Sequence, residues 1–351
     1  QQVGSSVAAG LLRGSGNAGV INLSNSGNNF ISIGTLSTSG GGLTVVDGSA
    51  NLNISGVVSA PNGIINIRTP GGISQSHQVT SGAAGDSIVL SAGTNYFNTA
   101  GSTGLLATHG SGRWLVYASS PSGNNFGSLA SGNSAVWNSP YATNLPNTIA
   151  AGNRYVFANQ PTANITANAQ SREYDGNTMF APVTHTVSGL VDASLYGNVF
   201  SQDILTGSLA VTAPGRNVGT YAIGIGTLTA PTGYLVNYTP ANATVTPKAL
   251  TINAVTDSRV YNGDVTSSAV PTYVGLVAGD TLTGLTQSYA SKNVLGANGS
   301  TLQVNGGYVL DDSNGGSNYT VTPIPVSGTI TPAALTVSTS SVNRQYDSTV
   351  N

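Results

Sequence analysis

"GGLTVVDGSANLNISGVVSAPNGIINIRTPGG" (residues 41–72) contains three short runs, at 43–45, 52–54 and 65–67, in which apolar and polar residues alternate. Period-2 alternation is the mark of a strand with one buried face. The same pattern recurs outward along the chain, as "INL" at 21–23, "ISI" at 31–33 and "IVL" at 88–90. The starts of alternate runs are evenly spaced: Ile21 to Leu43 is 22 residues, Ile31 to Leu52 is 21, Leu43 to Ile65 is 22 and Ile65 to Ile88 is 23. The linkers are rich in Gly, Ser and Asn, which suit tight turns. A run this short cannot bury its face alone, so successive turns of chain must stack on one another. The spacing therefore predicts an all-β fold that opens with a right-handed parallel β-helix shaft over 1–137. An antiparallel sandwich with irregular turns is the rival reading, but sandwiches seldom keep so regular a spacing.

Composition narrows the function classes. The 351 residues suffice for two or three domains with substantial cores. Only 6% are Asp, Glu, Lys or Arg, against about 25% in ordinary soluble domains, so hydroxyls and amides hydrate the surface in place of charge. A net charge of −2 gives no electrostatic reason to bind nucleic acid or anionic lipid. With no Cys there are no disulfide staples and no thiolate-held metals. No run approaches the ~18 apolar residues that span a bilayer, so membrane insertion is not expected. One Met (Met179), no Cys and abundant Thr, Ser, Asn and Gly fit a bacterial exported chain. The start at Gln1-Gln2, without a signal-peptide pattern, reads as a processed product or an excerpt.

Charge and period both change near residue 160. The first part holds two acids, Asp47 and Asp86, and four arginines. A Pro-marked connector or cap, "NSPYATNLPNTIAAGNRYVFANQPT" (138–162), follows it. Beyond lies an internal repeat. "REYDGNT" (172–178) presents Arg172, Tyr174, Asp175 and Gly176, and "RVYNGDV" (259–265) presents Arg259, Tyr261, Asn262 and Gly263. "RQYDSTV" (344–350) presents Arg344, Tyr346 and Asp347. "TPKALTI" (246–252) pairs with "TPAALTV" (331–337), "GRNVG" (215–219) with "SKNVLG" (291–296), and "NYT" at 237–239 with "NYT" at 318–320. The repeat places modules at 163–248 and 249–333, with the start of a truncated third at 334–351. Their strand-like runs predict tandem mostly-β modules, β-grasp-like or immunoglobulin-like. The motif itself reads as a module start: Asp-Gly and Asn-Gly favour tight turns with φ > 0. Arg and Tyr two residues apart share a strand face, so the Arg is expected to pack beside that Tyr ring.

Both parts resemble known families. "DSIVLSAGTNYFNTAGSTGLLATHGSGRWLVYASSPSGNNFGSL" (86–129), with 41–75 upstream, resembles the end of the β-helical shaft of filamentous-haemagglutinin-like exoproteins of Gram-negative two-partner secretion systems. The repeats resemble the bacterial surface module named for its Tyr-Asp-Gly motif, commonly strung in tandem after such shafts. The resemblance implies export through an outer-membrane β-barrel partner and display at the cell surface as an adhesin, matrix component or toxin-carrying stalk. Members of this family can be glycosylated, which makes the Asn-x-Thr sites Asn237 and Asn318 candidate acceptors.

Chemical sites are sparse. Asp47 and Asp86 are the only carboxylates of the first part, roughly 10 Å apart if they lie two coils apart in a stack of parallel strands. A glycoside hydrolase needs a carboxylate pair at a fixed separation, and that spacing is marginal. His77, His109 and His185 have no ligand-like spacing. Asp311 and Asp312, in "DDSNGG" (311–316), are candidate Ca²⁺ ligands, set against the reading of that stretch as a polar turn. Tyrosines in the second part can stack on sugars or pack across strands. The sequence thus predicts an extracellular, non-enzymatic, cofactor-free adhesin or biofilm-type fibre whose partner is a host or bacterial surface glycan or protein. A self-assembling filament or sheath is the alternative, and an exported polysaccharide-active β-helix enzyme the weaker one.

Overall fold

The computed structural model of the protein describes residues 4–17, 19–346 and 348. It is nearly all β, with no α-helix among the described residues and two single-turn 3₁₀ segments. Contacts divide it into two units, each assembled from three stretches of chain: 1–168, 184–210 and 224–241 in the first, and 169–183, 211–223 and 242–351 in the second.

In the first unit, one six-stranded sheet is parallel throughout, ordered Ile21–Leu23, Leu43–Val46, Ile65–Thr69, Gly85–Ala92, Gly112–Ala118 and Arg154–Phe157. The register converts sequence period into packing. Leu43, Ile65, Ile88 and Trp114 stand side by side, as do Val45, Ile67, Leu90, Val116 and Tyr155, and all nine are buried. Burying each such side chain contributes on the order of 1.5–3 kcal/mol. A second sheet, also parallel, is built around the ten-residue strand Asn29–Thr38. Its first half pairs with Asn51–Ile54 and its second half with Val58–Ala60. The ladders Leu52, Ile73 and Tyr96, and Val58, Val79 and Leu105, extend from there.

Where the chain turns between strands, amides and hydroxyls satisfy the buried backbone. Gln75 donates to the Gly104 carbonyl at 2.6 Å and accepts from the Tyr96 hydroxyl at 2.6 Å. Neighbouring turns approach so closely that a Cβ on Gly71 would lie 1.1 Å from the Ala50 carbonyl oxygen, which is why that corner takes glycine. Toward residue 157 the aliphatic ladder gives way to rings. Trp114, Phe126, Trp137, Tyr155, Phe157 and Phe200 pack edge-on or stacked, with centroids 4.6–6.4 Å apart.

The repeat appears as a repeated topology. In the first unit, Thr162–Ala167 is central in a three-stranded sheet, antiparallel to His185–Ser188 and parallel to Leu235–Thr239. In the second unit, Lys248–Asn253 is antiparallel to Thr272–Val274 and parallel to Tyr319–Ile324 in the same way. A second small sheet follows each. Gln170–Glu173 runs parallel to Ala241–Thr246, and Ser258–Val260 runs parallel to Val326–Thr331, which continues antiparallel to Gly296–Val304. These parallel pairs set both copies apart from the all-antiparallel immunoglobulin sandwich.

The expected separation of Asp47 and Asp86 changes with the fold. Asp47 follows Val46, which is in register with Arg68 and Ser91, so Asp47 lies level with Thr69 and Ala92. Asp86 sits six positions before Ala92, at the other end of the strand. At about 3.3 Å per residue the two carboxylates are offset by roughly 20 Å along the strand, beyond the ~10 Å expected from counting coils. The spacing of 39 is not a multiple of 22, and the remainder moves Asp86 along the strand.

Candidate functional site

The motif "REYDGNT" begins on the strand Gln170–Glu173, and the turn after it bends on Gly176 at φ +80°. Gly263 takes the same place in "RVYNGDV" with φ +88°; both angles are left-handed, where a side chain is strained. The Arg of each motif folds back onto its own turn. Arg172 pairs with Asp175 at 2.5 Å and donates to the Asn177 carbonyl. Arg259 pairs with Asp264 at 2.6 Å and donates to Asn262 and to the Asp264 carbonyl. The expected Arg–Tyr stacking within the motif is corrected: the Arg172 guanidinium lies over Phe180 (4.8 Å) and that of Arg259 over Tyr289 (5.1 Å). The strands end at Glu173 and Val260, so Tyr174 and Tyr261 lie past them and the period-2 rule no longer relates Arg to Tyr.

Tyr174 is fully buried, and its hydroxyl donates to Asp280 Oδ2 at 2.9 Å. Tyr319 donates to the same oxygen at 2.6 Å, its ring edge-on to Tyr174 at 5.4 Å. Arg216 closes the cluster, pairing with Asp280 Oδ1 at 2.6 Å, donating to the Tyr174 hydroxyl and reaching the Asp312 carbonyl at 3.2 Å. Its guanidinium also lies over the Tyr174 ring at 5.7 Å. Burial, reinforced by the hydrogen bond to Asp280, raises Tyr174 above the usual phenol range, with Arg216 opposing. The same two causes raise Tyr319. One carboxylate therefore accepts hydrogen bonds from two phenols and a guanidinium.

Around it, "GRNVG" of the first copy docks on the "DDSNGG" stretch of the second. The Val218 amide donates to Asn318 Oδ1 at 2.8 Å, and Asn318 Nδ2 donates to Asn217 Oδ1 at 3.1 Å. Asp312, at 1% exposure, holds that loop by accepting from the amides of Asn314, Gly316 and Asn318 at 2.8, 2.8 and 2.9 Å. Burial would push its carboxyl up, but these amides outweigh it and keep it below the usual range. Asp311 accepts from the Ser313 amide. Among the described residues no three carboxylate or imidazole groups converge as a metal site. His77 and His109 are exposed beside Ser76 and Ser111, and His185 lies on an edge strand.

The two "NYT" sites are not equivalent. Asn237 is exposed, with its Nδ2 on Asn164 at 3.0 Å. Asn318 is completely buried and its Nδ2 is spent on Asn217 and on the Asp312 carbonyl, so its candidacy as a glycan acceptor is withdrawn. The functional counterpart of Tyr319 in the first copy is Tyr234, which repeats its pattern: Tyr319 accepts from the Val277 amide and donates to Asp280, and Tyr234 accepts from the Val191 amide and donates to Asp203 at 2.7 Å. Of the third motif, Tyr346 is 89% exposed and Asp347 lies outside the described residues.

Sequence reasoning missed Asp280 and Arg216. Arg216 stood inside a recognised repeat segment, but its counterpart is Lys292 and the shared residue type was Asn. Asp280 carried no signal, because nothing local marks which of the later acids meets Tyr174.

Comparison with family models matches residues 163–244 to the MBG domain (YGX type) and 246–326 to the YDG domain. Both matches lie in the C-terminal region, and they meet where one copy of the topology gives way to the next. Comparison with curated proteins returned no match, and neither did comparison with solved structures.

Proposed function

We propose that this chain is part of an extracellular, non-enzymatic surface fibre of the adhesin type. In it, the parallel sheets of residues 8–157 form a right-handed β-helical shaft, and tandem modules follow in the chain. The observation that carries the reading is the use of the motif residues. Tyr174, Arg172 and Asp175 are consumed in turn closure and in the contact between repeated segments, which is the role of a structural joint. The 22-residue ladder supports the shaft, since identical register over successive strands gives length and stiffness with few residue types. YDG and MBG domains occur in surface or adhesin-like proteins, which is compatible with this placement. Asp86 is paired with Arg113 at 2.6 Å, and Asp47 is buried among donors, which argues against a hydrolytic pair. Export through an outer-membrane β-barrel partner and display on a Gram-negative cell belong to the same proposal.

The filament alternative rests on one observation, the exposed edge strand Thr272–Val274, on which Tyr273 and Val274 are 44% and 69% exposed. Purified chain separates the readings. A monomer that attaches coated beads to host or bacterial cells supports the adhesin. Concentration-dependent fibres under electron microscopy, without cell attachment, support the filament. Release of sugar from a polysaccharide, abolished by Asp47→Ala, would overturn both.

A further inference from the structure

A cleft of about 500 Å³ lies along the first parallel sheet of the first unit. The residues that line it are in register: Val46, Arg68, Ser91 and Tyr117 occupy equivalent positions on four successive strands. Strands in a sheet are spaced about 4.8 Å apart, so the cleft crosses them as a groove lined by side chains in register. Its floor is apolar, with Pro70, Ala92 and Ala118. Tyr141 closes one wall, held edge-on to Tyr117 at 5.1 Å.

Arg68 lines this groove, and its guanidinium differs from those of Arg113 and Arg154 in the same unit. The Arg113 guanidinium has Asp86 and three carbonyls, and that of Arg154 has carbonyls and Ser134. Among the described residues no hydrogen bond or ion pair reaches the Arg68 guanidinium, and its Nε is buried without a partner. It is nonetheless held in place, over the Tyr141 ring at 5.0 Å. Asp47 also lines the cleft, but it is 1% exposed. Its oxygens are taken by the Phe30 amide (2.7 Å), the Ser49 amide (3.2 Å), the Ser49 hydroxyl and Thr69 Oγ1 (3.3 Å). A fixed, unpaired guanidinium in a mostly apolar groove is a recognition element for a planar anion, because its fork matches a carboxylate.

We propose that this groove binds a linear glycan carrying carboxylates, with one carboxylate on Arg68 and the sugar faces against the apolar floor and tyrosine walls. The proposal deepens the adhesive reading by naming its ligand class, and its test needs no cells. An oligomer of galacturonic acid is titrated into the purified full chain by calorimetry, beside its methyl-esterified form. The acidic oligomer is expected to bind, the neutral form to bind at least tenfold more weakly, and added salt to weaken the acidic complex. Arg68→Gln is expected to raise Kd at least tenfold with an unchanged melting temperature, and Arg68→Lys to fall between. Arg13→Gln, at an exposed arginine outside the groove, is expected to leave Kd unchanged.

Equal binding of acidic and neutral oligomers, no binding of either, or an Arg68→Gln protein that folds and binds normally would each overturn the proposal. If acidic oligomer does not bind but coated beads still attach to cells, this inference fails and the adhesive reading stands. Binding without attachment has the opposite meaning.

Discussion

Tyr174 and Tyr261 hold the same place in two copies of one module, yet one is fully buried and the other is 39% exposed. The turn beside each is alike: both have a left-handed glycine and an Arg folded onto the loop. What differs is the cover. Tyr174 meets Asp280, Tyr319 and Arg216 from other segments of the second unit. The adjoining segments differ in the same sense, since Asn217 and Val218 engage Asn318 while Lys292, Asn293, Val294 and Leu295 are exposed. Turn geometry is therefore intrinsic to a copy, whereas burial of the motif tyrosine belongs to the contact between copies.

Asp280 is the acceptor on which the buried copy depends. Asp280→Ala leaves two buried phenols and Arg216 without their acceptor, and should cost about 3 kcal/mol in urea unfolding followed by a probe in the second unit. Next, Arg216→Ala should cost about 1–2 kcal/mol, since Arg216 is one-third exposed and keeps some solvation. Lys292→Ala, at the equivalent place in the second copy, should stay within about 0.5 kcal/mol. Tyr174→Phe removes one hydroxyl and should cost about 1 kcal/mol, whereas Tyr261→Phe should again stay within about 0.5 kcal/mol.

The smallest expected effect is on pH dependence. Asp264 is held down to about 2, chiefly by hydrogen bonds from Thr266 and also by Arg259. Asp175, Asp257 and Asp312 are shifted down as well. Folded-state values below the unfolded ones mean that the unfolded chain takes up protons first, so this stability is lost as pH falls below about 4. The buried phenols Tyr174, Tyr289 and Tyr319 are shifted up. Their contribution is complete below pH ~10 and is lost as pH rises above it. Melting temperature against pH should form a plateau from about pH 5 to 9.

Much of this was legible in the residues, for different reasons in the two regions. Along residues 21–90 a single period of about 22 fixes register, because apolar side chains stack on apolar ones, and the Leu43, Ile65 and Ile88 ladder follows from counting. Counting failed for Asp86, which lies off that period. In the repeats, Gly176 and Gly263 announced their turns, since few other residues accept such angles. The Tyr174 cluster was not legible: Arg216 and Asp280 lie 42 and 106 positions from Tyr174, and neither position repeats. Arg68 likewise looked ordinary until register set it beside Ser91 and the chain brought Tyr141 over it.

The motif tyrosine Tyr174 is a joint between copies, and its exposed counterpart Tyr261 stands outside that contact. A double-mutant cycle of Tyr174→Phe with Asp280→Ala, read by urea unfolding of the second unit, tests it directly. The account predicts a coupling of at least about 1 kcal/mol for that pair and additivity for Tyr261→Phe with Asp280→Ala. Additivity in the first cycle, or equal coupling in both, would contradict it.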